Sequence, residues 1–153
     1  MNKSVTFGLA AVVLAGVGFG AWTLSDPKPA HAAEMVVYKS PTCGCCGAWV
    51  DHVRANGFEV EVKEVFDLDP IKASAGVPGE MESCHTAMID GYVVEGHVPA
   101  EDIKRLISEK PDVKGIAVPG MPIGSPGMEQ GDYKEPYASV LFGKQGYKIF
   151  AQH

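Results

Sequence analysis

Three cysteines within four positions, Cys43, Cys45 and Cys46, constrain this chain more than any other feature. They follow Met35 to Lys39, an apolar, β-branched run that reads as a short buried strand, and a Ser40-Pro41-Thr42 break. Behind them, Trp49, Val50 and Val53 recur at helical spacing up to the stop signal Asn56-Gly57, so a helix is predicted from Gly44 to Ala55. Cys43 then stands where that helix begins, and the unpaired N–H groups and dipole there favour an anion and lower a thiol pKa. Cys46, three residues on, shares one face of the first turn with it. This is the C-x-x-C spacing of thiol–disulfide exchange, with a third thiol inserted. A bridge between the neighbours Cys45 and Cys46 would be badly strained. Three thiols in one turn favour thiolate coordination of a soft metal over a simple dithiol switch.

The rest of the pattern alternates strands and helices. Phe58 to Val65 sets Phe58, Val60 and Val62 against Glu59, Glu61 and Lys63, as a half-buried strand does. Asp69 as cap and Pro70 in the first turn open a short helix to about Ala75. Gly76 to Cys84 reads as a loop. Thr86 to Ile89 and Tyr92 to Val94 flank Asp90-Gly91, a hairpin dipeptide. Pro99 to Glu109 is an amphipathic helix with Ile103, Leu106 and Ile107 inward, closed by Lys110-Pro111. The order is βαβαββα within an α/β domain, which is the thioredoxin-like layout. Residues 112–136 are too rich in glycine and proline for a helix or strand and read as a long loop, functional or disordered, carrying Met121 and Met128. Ser139 to Phe142 and Tyr147 to Phe150 form a C-terminal β-hairpin.

Asn2-Lys3, an uncharged run from Val5 to Leu24 and the small-x-small tripeptide Ala30-His31-Ala32 are the layout of a secretory signal peptide over residues 1–32. The run approaches the length of a bilayer span, so an uncleaved N-terminal anchor is the alternative. Either way the folded part, residues 33–153, is expected outside the cytoplasm, in a bacterial periplasm. Without the leader the chain has 121 residues with 11 basic and 18 acidic side chains. It is large enough to fold without a staple, and its acidic balance offers no footprint for nucleic acid. Membrane contact is expected only through an uncleaved N-terminal segment.

The fourth cysteine, Cys84, lies just before the third strand. In a thioredoxin-like fold that loop faces the start of the first helix and normally carries a cis-proline, whereas here Cys84-His85-Thr86-Ala87 occupies the place. Cys84 should therefore converge on Cys43, Cys45 and Cys46. Two structural disulfides, or one redox pair with two bystanders, are the alternatives to a metal–thiolate centre. Met81, Met88, Met121 and Met128 lie within about fifty residues of Cys84, and thioether with thiolate donors select Cu(I); the alternative for the loop methionines is that they cap the core. Met88, on a predicted strand, reads as core. His85 and His97 are candidate imidazole ligands, while His52 reads as a solvated helix histidine and Trp49 as core.

These motifs look familiar. Ser40-Pro41-Thr42-Cys43-Gly44-Cys45-Cys46, Ser83-Cys84-His85-Thr86-Ala87, Glu95-Gly96-His97-Val98-Pro99-Ala100 and the stretch from Gly115 to Glu129 resemble the CopG-like family of small periplasmic copper-resistance proteins. The resemblance covers nearly all of the chain beyond the leader. It implies a thioredoxin-like fold, a cysteine-bridged Cu(I) cluster and a redox role in copper handling. It places Cys43, Cys45, Cys46 and Cys84 in the copper site, with His85, His97, Met121 and Met128 as further candidates.

Two functions follow as expectations, beside a third reading as a disulfide-stabilised interaction module with no metal. One is a Cu(I)-binding protein that sequesters copper or passes it to other periplasmic copper-handling proteins. The other is a thiol–disulfide or copper oxidoreductase in which Cys43 attacks and Cys46 resolves. The two can coexist, since oxidising the thiols to a disulfide would expel copper.

Overall fold

A computed structural model describes residues 34–153; the leader read in residues 1–32 lies outside them. The elements run β1 (Glu34–Lys39), α1 (Gly44–Ala55), β2 (Glu59–Glu64), α2 (Asp69–Ala75), a 3-10 turn (Gly79–Met81), β3 (His85–Ile89), β4 (Tyr92–Glu95), α3 (Ala100–Glu109), β5 (Gly115–Ala117), β6 (Ala138–Gly143) and β7 (Gly146–Gln152). The strands form one mixed sheet in the order β2-β1-β3-β4-β5-β6-β7. The β1/β2 and β4/β5 pairs are parallel and the remaining pairs antiparallel.

Strand alternation divides the apolar side chains between two faces. On one face Met35, Val37, Ala87, Ile89, Val94, Ile116 and Leu141 pack against Trp49, Val50 and Val53 of α1 and Ile103 and Leu106 of α3. On the other, Val93, Ala117 and Phe142 pack with Ala75, Val77 and Met81 around α2. Met88 lies half-buried against this second cluster. The Asp90-Gly91 turn has φ of 48° and 82°, the left-handed pair that a two-residue hairpin requires.

Two local expectations need correction. Residues 112–136 are not strand-free, because Gly115–Ala117 forms β5, parallel to β4, and carries the terminal hairpin into the sheet. A side chain at Gly115 would meet the Val93 carbonyl oxygen at 2.2 Å, so the residue that looks like a strand breaker is what lets the strands approach. Asp69 does not cap α2. Leu68 holds the cap position, and Asp67 Oδ1 accepts from the Asp69 N–H (3.1 Å) one residue earlier.

Candidate metal centre

The end of β1 delivers the chain through Ser40-Pro41-Thr42 to Cys43, which is the N-cap of α1. Its sulfur accepts the Cys46 N–H at 3.3 Å, so sulfur fills the place usually held by a serine or aspartate oxygen. Cys43 and Cys46 are joined as a disulfide, with Cys43 half-buried and Cys46 fully buried against the sheet. Cys45 and Cys84 are free thiols. Cys45 Sγ lies 3.5 Å from Cys43 Sγ. Cys46 Sγ lies 3.6 Å from the Cys84 carbonyl oxygen. All four sulfurs fall within 4.8 Å of one another, so the four cysteines singled out in the sequence are brought together. Metal–thiolate bonds of about 2.3 Å, the zinc value, place sulfurs of a shared ion at such separations.

Cys84 also belongs to a second group, with His85 and His97, whose ligand atoms again lie within 4.8 Å. Cys84 Sγ is 3.0 Å from His97 Nε2 and 3.4 Å from His85 Nδ1. His97 Nδ1 is 2.7 Å from the Pro126 carbonyl oxygen, which can only accept. Nδ1 therefore carries the proton, and the Nε2 lone pair faces the sulfur. A backbone carbonyl fixing one ring nitrogen so that the other is presented is the usual support of a metal-binding histidine. Burial holds the pKa of both rings below the usual histidine range, so both stay neutral and able to ligate. His85 packs on Trp49 with ring centroids 4.3 Å apart, and its Nε2 is buried with no hydrogen-bond partner. A buried ring nitrogen left unpaired costs about 1–3 kcal/mol.

Burial, with a further contribution from Cys45, pushes the Cys84 thiol up to about 12. Without metal it stays protonated beside the His97 lone pair. Metal capture at this sulfur must release that proton.

The glycine-rich loop after β5 closes over the site. Gly127 lies against α1, where an added Cβ would stand 2.7 Å from the Cys45 carbonyl oxygen and from the Trp49 nitrogen. Pro126 meets His97, and Gly120 is tied to the Cys84 loop by its N–H donating to the Glu82 carbonyl (3.3 Å). Met121 follows that tie and is about half exposed, at 52%. Met128 is half-buried beside Gly127.

His52 departs from its expected role. It is not a solvated helix histidine, because its Nε2 accepts the Ala100 N–H at 3.1 Å and so anchors the start of α3 to α1. Trp49 is core, as expected, with its Nε1 donating to the Val98 carbonyl at 2.9 Å. Two features went unread in the sequence: the Pro126 carbonyl behind His97, and a buried Lys72–Glu95 pair across the sheet from the cysteines. Neither has a local signature, since each joins segments more than twenty residues apart.

Comparison with known proteins gives two solved structures as neighbours, "Copper resistance protein copG", Form 2 and Form 1. Each is 46% identical to this chain. The first covers 79% of this chain and 98% of its own, with a TM-score of 0.76. The second covers 78% and 96%, with a TM-score of 0.74. Residues 81–128 match a family described as a protein of unknown function, DUF411. No curated protein sequence gives a significant match.

Proposed function

Because the chain belongs to the CopG family of copper resistance proteins, we propose that it holds Cu(I) as cargo on Cys43, Cys45, Cys46 and Cys84, with His85 and His97 as nitrogen donors. The observation that carries this reading is the convergence of four sulfurs and two neutral imidazoles around Cys84. Thiolates are soft and bridge readily, so four sulfurs suit more than one Cu(I) ion, and the α1 N-terminus offsets part of their charge. Met121 and Met128, on the loop above, are the thioether candidates of the same site. We read β2-β1-β3-β4 with its helices as a thioredoxin-like scaffold. We also place the protein in the periplasm, on the uncharged run and small-x-small tripeptide of residues 1–32, where copper-handling proteins would be its partners.

A second reading is favoured by the Cys43–Cys46 disulfide itself. The more exposed Cys43 and the buried Cys46 fit the attacking and resolving thiols of an oxidoreductase. The two readings share one switch, since disulfide formation withdraws two of the four sulfurs.

Anaerobic titration of the reduced protein with Cu(I) against a competing chelator tests the copper reading. Tight binding by wild type and its loss in a Cys43→Ser/Cys84→Ser double variant is the expected result. Equal affinity in the two proteins would overturn it. Copper oxidation or disulfide reduction by wild type, absent in Cys46→Ser, is the expected result for the second reading.

A further inference from the structure

The loop that presents Cys84 contains no cis peptide bond, and the groups that fix it come from the far face of the sheet. Glu95 of β4 is fully buried, and its carboxylate is shared among three donors. Its Oε1 accepts the Ser83 backbone N–H at 2.8 Å and is paired with the Lys72 ammonium from α2. Its Oε2 accepts from the Thr86 hydroxyl at 2.7 Å, and Lys72 Nζ donates to the same hydroxyl oxygen at 3.1 Å. Lys72 is itself only 4% exposed. Ser83, so held, donates its hydroxyl to the Gly120 carbonyl. One carboxylate thus anchors both the residue before Cys84 and the loop that closes over the cysteines.

Stability alone does not account for such a pair. Removing two charges from water costs about as much as their attraction returns, and apolar residues of similar volume often serve the fold as well or better. What the pair supplies is a fixed acceptor one peptide away from Cys84. Thr86 and Glu95 are cross-strand partners in β3 and β4, so the anchor belongs to the rigid sheet.

We propose that Glu95, paired with Lys72, is a positioning residue that clamps the Glu82–Ser83 peptide, next to Cys84, so that the Cys84 sulfur stands between the α1 sulfurs and the two imidazoles. The part of this that concerns copper rests on the function proposed above. Groups that orient metal ligands typically account for about 10–100-fold in metal affinity.

The test compares wild type with Lys72→Met/Glu95→Leu, which removes both buried charges together and so spares the fold, and with Lys72→Met/Glu95→Gln, which leaves no unpaired ammonium and keeps an acceptor for the Ser83 N–H. Leu106→Ala, in the core around α3, is the control for lost stability. The first readout needs no copper: in a Cys45→Ser background with the Cys43–Cys46 disulfide intact, Cys84 is the one free thiol. Its alkylation by iodoacetamide should be at least about tenfold faster in Lys72→Met/Glu95→Leu, restored towards the slow rate in Lys72→Met/Glu95→Gln and unaffected by Leu106→Ala. The second readout, with Cys45 present and the protein reduced, is Cu(I) affinity by chelator competition, which should fall about 10–100-fold in Lys72→Met/Glu95→Leu alone. A folded Lys72→Met/Glu95→Leu variant that is alkylated and binds Cu(I) like wild type overturns the clamp. So does acceleration by Leu106→Ala equal to that of Lys72→Met/Glu95→Leu, or failure of Lys72→Met/Glu95→Gln to restore the slow rate. If wild type itself binds no Cu(I), the proposed function fails, and the alkylation rates still decide the clamp.

Discussion

Gly127 seats the loop over the cysteines against α1, and replacing it by alanine measures how firmly the loop is held. Its φ is +83°, so an alanine carries the left-handed penalty of about 1–2 kcal/mol. The new Cβ would also stand 2.7 Å from two backbone atoms, the Cys45 oxygen and the Trp49 nitrogen, which α1 holds in place. Overpacking against atoms that cannot yield costs about 1–3 kcal/mol more. Gly131, in the same loop at φ +61°, has no atom within 4 Å of a Cβ and supplies the conformational penalty by itself. For a domain of this size about 1 kcal/mol corresponds to roughly 3–6 °C. Thermal unfolding of the metal-free protein should thus fall by roughly 10–15 °C for Gly127→Ala and roughly 5 °C for Gly131→Ala. The difference between the two is the contact. Equal shifts in the two variants, followed by circular dichroism at one scan rate, would show that the loop does not rest on α1.

Three further outcomes follow from the same contacts. Trp49→Phe leaves the Val98 carbonyl without its donor and a void against His85, so urea unfolding should show a loss of about 2–4 kcal/mol at unchanged m-value. Burial keeps His85 and His97 from accepting protons that the unfolded chain takes up near pH 6.5, so stability of the metal-free protein falls as pH drops below that value, by at most about 1.4 kcal/mol per pH unit for each ring. Glu95, pushed up by burial, acts with the opposite sign, so the histidine share is read from His97→Gln, whose slope between pH 6.5 and 5 should be shallower than that of wild type. Because Cys84 holds its proton up to about 12, Cu(I) affinity should rise about tenfold per pH unit for each thiol that must deprotonate, and a flat pH profile would mean that Cys84 does not ligate as a thiolate.

The legible parts of this molecule are those with local causes. α1 and α2 occupy the predicted spans, Gly44–Ala55 and Asp69–Ala75, because apolar spacing, Asn56-Gly57 and Asp69-Pro70 are all near-neighbour signals. The convergence of Cys84 on the α1 cysteines was legible through the thioredoxin-like layout expected from the element order, and the structure realises it by an antiparallel β3 beside β1 that brings its first residue back to the α1 N-terminus. β5 was not legible, because a three-residue strand opening on Gly115 owes its place to neighbours on both sides rather than to its own sequence. His52 misled for the same reason. Its helix position predicts solvent, but Ala100, 48 residues on, brings an N–H to its ring. Lys72 and Glu95 look like surface charges until the sheet buries them together.

The two donor groups that share Cys84 also make oxidation a graded event. The Cys43–Cys46 disulfide removes two sulfurs, both from the first turn of α1, and leaves Cys45 and Cys84 as thiols. Cys84 keeps both imidazoles within ligand distance, and His97 keeps its Pro126 support, because neither contact involves the disulfide. The disulfide form therefore retains a sulfur–nitrogen donor set while losing the capacity for extensive thiolate bridging. Copper stoichiometry after anaerobic loading and desalting should be lower for the disulfide form than for the reduced form, but above zero. It should be lower still in the disulfide form of a His85→Ala/His97→Ala variant, which keeps only Cys45 and Cys84, while the reduced variant still holds copper through four sulfurs. Equal stoichiometry in the disulfide forms of wild type and of His85→Ala/His97→Ala would remove His85 and His97 from the donor set and leave the sulfurs as the whole site.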